Sequence, residues 1–116
     1  MTGINAITFV VDEPSAVARR LVEAFGWEVT QDYGSFAEVV AGQGPLIWLN
    51  VPSELTDQVQ QGVLVHCQVD DVRAAAERAR AAGATIVLEP TRTDFGTESA
   101  WAQVEGGPIV DLSREL

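Results

Sequence analysis

The stretch GPLIWLN, Gly44 to Asn50, is rewritten 63 positions later as GPIVDLS, Gly107 to Ser113. A repeated closing strand constrains the fold more than any single residue, because the elements before it repeat as well. Ile4 to Val11 is rich in β-branched and aromatic residues, and Asp12, Glu13 and Pro14 then read as a cap and first helical turn. Val17, Leu21 and Phe25 recur at helical spacing, with Arg19, Arg20 and Glu23 on the wet side, and Gly26 ends the helix. Three strands follow over Trp27–Thr30, Ser35–Val40 and Leu46–Val51, joined by QDYG and AGQG turns. The second copy runs from VLVHCQV through Asp70 and Asp71 to a helix over Val72, Ala75, Ala76, Ala79 and Ala82, stopped by Gly83. Strands at Thr85–Leu88, Ser99–Val104 and Ile109–Ser113 complete it, and the longer stretch EPTRTDFGTE gives a loop over 90–98, with length as the one argument for a lid over the cup.

Each half is therefore β-α-β-β-β, with one module over 3–52 and the other over 61–114 in a single domain spanning 1–116. Such a unit covers one face of its four strands with its helix and leaves the other face to close against something else.

Strand side chains alternate between faces, so parity separates the two sets. Val63, Val65, Cys67 and Val69 form an apolar, helix-facing set, as do Ile7, Phe9 and Val11, and Pro108, Val110 and Leu112. The open face then collects Thr8, Phe36, Glu38, Trp48, Asn50, His66, Gln68, Trp101, Gln103, Asp111 and Ser113. Indoles beside polar groups on one concave wall suit a small-molecule site. Cys67 falls on the core side, Trp27 is packing, and Arg73, Glu77 and Arg80 are spaced for helix-surface pairs.

The chain carries 17 acids against 7 bases, a formal net charge of −10, which repels phosphate backbones and anionic membrane surfaces. Nucleic acid is excluded as a partner on that ground. A single cysteine forms no intrachain disulfide and fits a reducing compartment. With no signal-like N-terminus and no membrane-length apolar run, the expected location is the cytoplasm.

The paired β-α-β-β-β order, together with FGWEV after the first helix, VDDVRAAAERARAAGA across the second and the closing GPIVDLS, resembles the vicinal oxygen chelate superfamily. That group includes glyoxalase I, extradiol dioxygenases, fosfomycin-resistance enzymes and the metal-free bleomycin-resistance proteins. The resemblance implies an α+β fold of two βαβββ modules forming a cup-shaped mixed sheet with helices on the outer face, often completed in a homodimer. It also implies a divalent metal in the enzymes, held from the first and fourth strands of each module. Those positions fall here at Ala6, Leu64, Trp48 and Asp111, so that only Asp111 offers a ligating atom. The pattern points to a metal-free, cofactor-free binding protein that sequesters a planar or cationic ligand. Trp48, Trp101 and Phe36 would stack it, Glu38 and Asp111 would attract its charge, and Asn50, His66 and Gln68 would orient it. The alternative is a lyase, isomerase or dioxygenase of the same superfamily using His66 and Asp111, with or without a divalent metal.

Overall fold

A computed structural model describes residues 5–53, 63–93 and 96–116. The chain order is β1 (Ala6–Val10), α1 (Pro14–Phe25), β2 (Glu28–Asp32), β3 (Phe36–Val40), β4 (Leu46–Asn50), β5 (Leu64–Gln68), α2 (Val72–Ala81), β6 (Thr85–Arg92), β7 (Thr97–Gln103) and β8 (Ile109–Glu115). The strands make two four-stranded sheets in the orders β1-β4-β3-β2 and β5-β8-β7-β6. In each sheet the first strand runs parallel to the last, and the other pairs are antiparallel. The two modules expected from the repeat are thus built to one plan.

Both helices start and stop on local chemistry. Pro14 occupies the first turn of α1, where a missing N–H costs nothing, and Gly26 ends it at φ 74°. Asp71 caps α2 by accepting a hydrogen bond from the Ala74 N–H at 3.0 Å. α1 packs on β2, β3 and β4, α2 on β6, β7 and β8, and the helices touch each other. The main core therefore runs through both modules, joining Phe9, Val17, Leu21, Trp27 and Leu49 to Ala79, Ala102, Val104, Val110 and Leu112. Trp27 is buried against Phe25, with ring centroids 5.0 Å apart, which confirms it as packing.

The parity split holds along the central strands of the first sheet. In β3 and β4 the residues Ala37, Val39, Ile47 and Leu49 are buried, while Phe36, Glu38, Val40, Leu46, Trp48 and Asn50 are half-buried on the other face. Val65, Cys67 and Val69 pack against the core from β5, and burial pushes the Cys67 thiol up. Ile7 departs from its set: it lies on a sheet edge and is partly exposed.

Two expectations need correction. Of the stretch read as a loop, Pro90 to Arg92 continue β6 and Thr97 and Glu98 open β7, while 94–95 lie outside the described residues. Pro90 suggests a break, but β6 is an edge strand whose register shifts between Leu88 and Thr91, a place where a missing N–H is tolerated. The helix-surface pairs are also only partly as spaced. Arg80 does reach Glu77 at 3.5 Å, yet its shorter bonds go to Glu89 on β6, and Arg73 faces Glu98 on β7. Glu98 is largely buried and is held mainly by Arg114 at 3.0 Å.

No helix among the described residues is long and apolar enough to cross a membrane. The shortest dimension is 24 Å against 41 and 37 Å, the thickness of one sheet layer with one helix layer. The faces opposite the helices are left open.

Candidate functional site: two rows on the open faces

The register places three open-face residues side by side in each sheet. In the first, Thr8 lies opposite Trp48, and Trp48 opposite Glu38. In the second, His66 lies opposite Asp111, and Asp111 opposite Trp101. The backbone pairing is the same, but the indole and the acid have exchanged strands. Trp48 is central in one row and Trp101 lateral in the other, with Glu38 and Asp111 in the complementary places. Among the described residues, the hydrogen bonds and ring contacts of these groups stay within their own sheet.

In the first row Glu38 accepts from three donors. Its Oε2 accepts from Trp48 Nε1 at 2.8 Å, and its Oε1 accepts from Thr30 Oγ1 at 2.8 Å and from Gln31 Nε2 at 3.4 Å. Thr30 reaches Glu38 because β2 carries a bulge: Val29 pairs with Val39 and Gln31 with Glu38, leaving Thr30 between them. A bulge re-aims a side chain that simple alternation would send elsewhere. The second sheet repeats it, with Val87 left out between Ile86 and Leu88.

Three aromatic rings run outward from this row. Phe36 lies 6.2 Å from Trp48 at 60°, and Tyr33 stacks on Phe36 at 6.3 Å and 27°. Tyr33 is 72% exposed. Its turn is anchored by Asp32, whose Oδ1 accepts from Ser15 Oγ at 2.6 Å and from the Gly34 N–H at 3.0 Å. These bonds, the Ser15 hydroxyl first, hold the Asp32 carboxyl below its ordinary range. Sequence reading placed Tyr33 in a turn and missed both it and Thr30. The tyrosine next to Gly34 was a signal available for the first, whereas nothing in the sequence announces the bulge.

The donors on Glu38, led by Trp48 and then Thr30, hold its carboxyl below the usual glutamate range. A lowered value means that the stabilisation is complete above the unfolded value, about 4.3, and drains away as pH falls through the lower folded one. Tryptophan emission is accordingly expected to stay flat from pH 6 to about 4.3 and to change only below that. Glu38→Gln should remove that transition, and an unchanged acid titration in the variant would refute the assignment.

The second row is built differently. Asp111 is buried, 6% exposed, and its Oδ2 lies 2.7 Å from His66 Nδ1. Its Oδ1 is buried with no hydrogen-bond partner among the described residues. The His66 side chain is 70% exposed. Gln103 donates to the Gly107 carbonyl at 3.0 Å, while Gln68 is exposed and Ser113 half-buried beside this row. Asn50 and Val10 pair in the first sheet as Ser113 and Gln68 do in the second.

A divalent metal does not fit these residues. Ala6, Leu64 and Trp48, at three of the four positions where the resemblance puts ligands, carry no ligating atom, and the Asp111 oxygen nearest a neighbour is engaged with His66. Among the described residues no group of three or more His, Cys, Asp or Glu converges on a point.

Residues 3–100 match a family model described as Glyoxalase/Bleomycin resistance protein/Dioxygenase superfamily. Among solved structures, the chain is similar to a glyoxalase/bleomycin resistance protein/dioxygenase family enzyme from Burkholderia phytofirmans PsJN, at 16% identity and TM-score 0.84, covering 99% of this chain and 100% of that one. It is likewise similar to TioX from Micromonospora sp. ML1, at 20% identity and TM-score 0.78 with the same coverage. A structure titled only "conserved domain protein" shares 26% identity at TM-score 0.82, again covering 99% and 100%. Among curated proteins none matches the chain.

Proposed function

The chain belongs to the Glyoxalase/Bleomycin resistance protein/Dioxygenase superfamily, and from that premise we propose that it is a metal-free binding protein for a flat, preferably cationic small molecule. The observation that carries this reading is Trp48. It occupies a central-strand position where the superfamily's enzymes would need a carboxylate, and Glu38 fixes its indole at 2.8 Å. A ring pinned through its N–H keeps its face free, and with Phe36 and Tyr33 it makes a stacking strip. Glu38, which accepts the Trp48 N–H, keeps a negative charge beside the indole and so favours a cation over the ring face. The −10 net charge adds a long-range pull of the same sign.

The open faces call for a cover, and a second copy of the chain supplies one. In that homodimer the two rows of the cup would come together, as cups built from paired modules do. Titration of tryptophan emission with proflavine, a flat cation, and with 2-naphthol, a flat neutral molecule, tests the reading. Saturable quenching by both, tighter for proflavine, is the expected result. No saturable response to either probe would sink it.

A further inference from the structure

The two sheets carry a bulge at matching places, and the residues that fill it differ in kind. A regular antiparallel ladder sets one residue against one, whereas a bulge sets two against a single partner. In the first sheet Thr30 and Gln31 are the two, and the residue they oppose is the acid Glu38. In the second they are Val87 and Leu88, and the residue they oppose is the indole Trp101. The bulge is thus polar where it meets a carboxylate and apolar where it meets a ring.

The effect of the polar bulge is felt one strand further in. Val29 packs against the core, so β2 arrives at the bulge with its helix side already set. The extra residue then brings two donors to Glu38 Oε1, Thr30 Oγ1 at 2.8 Å and Gln31 Nε2 at 3.4 Å, where an even ladder would oppose Glu38 with one residue. Oε2 on the other side accepts from Trp48 Nε1 at 2.8 Å. The last torsion of a glutamate is broad, so the plane of its carboxylate is set by what bonds to it. Held at both oxygens, the Glu38 carboxylate cannot turn, and the tilt of the Trp48 ring is thereby set from β2. Thr30 is the firmer of the two anchors: its bond is the shorter, and its β-branched side chain is stiff where that of Gln31 is long and loose.

We propose that Thr30 is a positioning residue of the stacking strip: its hydroxyl, delivered by the bulge, holds Glu38 and through it presets the ring face that Trp48 turns to a flat ligand. The role rests on the reading of Trp48, Phe36 and Tyr33 as that strip. A binding group whose rotamer is locked by its neighbours loses little freedom when the ligand arrives, whereas a loose one has to be ordered by the ligand. Releasing the indole should therefore weaken binding by roughly 2- to 10-fold. Because Thr30→Val leaves the Glu38 carboxylate in place, the loss should be the same for a cationic ligand and a neutral one.

The test titrates proflavine and 2-naphthol into wild type, Thr30→Val and Thr30→Ser, followed by tryptophan emission. In parallel, 15N relaxation gives the order parameter of the Trp48 indole N–H, its signal assigned among the three tryptophans with Trp48→Phe. Thr30 is exposed on an edge strand, and valine keeps its shape and branching, so the substitution leaves the core untouched. Thr30→Val should weaken both probes by one common factor and lower the indole order parameter from the rigid level of about 0.85. Thr30→Ser, which restores the hydroxyl, should restore both. Unchanged affinity or unchanged order in Thr30→Val overturns the proposal. A loss confined to proflavine also overturns it, since that is an effect of charge, and so does a serine variant that behaves like the valine one. No saturable response of the wild type to either probe removes the strip and the positioning role together, whereas probe binding that ignores Thr30 removes the role alone.

Discussion

Leu21→Ala should lower the free energy of unfolding by about 3–5 kcal/mol, the range for emptying a well-packed leucine site. Leu21 is fully buried in α1, among residues drawn from both modules. α1 packs on α2 and on β2, β3 and β4, elements that are each tied to other partners, which limits how far the site can collapse. The more telling part of the result is the shape of the urea curve. Because a single core cluster joins β1 and α1 to Ala79, Ala102, Val110 and Leu112, wild type and variant should each unfold in one transition, with the midpoint shifted and the slope kept. Two separate transitions in the variant, or a loss under 1 kcal/mol, would mean that the modules hold their cores independently.

Trp48→Ala should weaken proflavine binding by roughly 30-fold, as expected for a stacking residue worth about 2 kcal/mol. The substitution removes the ring at the head of the Trp48–Phe36–Tyr33 strip and also leaves Glu38 Oε2 without its donor. Trp48→Phe separates these effects, since it keeps a ring and loses the N–H. Its affinity should fall between wild type and alanine, with the emission of the remaining tryptophans reporting the titration. Equal binding by all three proteins would place the ligand elsewhere.

Much of the fold was legible because its signals are local and doubled. Alternation in FAEVV and LIWLN predicts the buried and open sides of β3 and β4 residue by residue, and the burial pattern follows it. The caps at Asp71 and Gly26 are likewise written in single residues. What stayed hidden depends on neighbours in space. Glu38 reads as a free charge on a half-wet strand, but three donors meet it, one of them delivered by a bulge that the sequence does not mark. Pro90 reads as the start of a loop and is instead accommodated on a sheet edge. Asp111 reads as one more open-face residue. The register puts it beside His66, and the packing makes it, with Ser99, a buried polar group among the described residues.

The bulges at Thr30 and Val87 bear on how the chain meets its own copies. Both lie in β2 and β6, the outermost strands of their sheets, and β6 also carries Pro90. A foreign strand laid along either margin would fall out of step at the inserted residue, and on β6 it would also meet Pro90. The opposite margins, β1 and β5, keep unbroken register with their neighbours and present a straight ladder. The duplicated irregularity therefore works as a fence on two sides of the molecule: it discourages open-ended stacking into fibres and leaves ordered self-association to the β1 and β5 margins and the open faces.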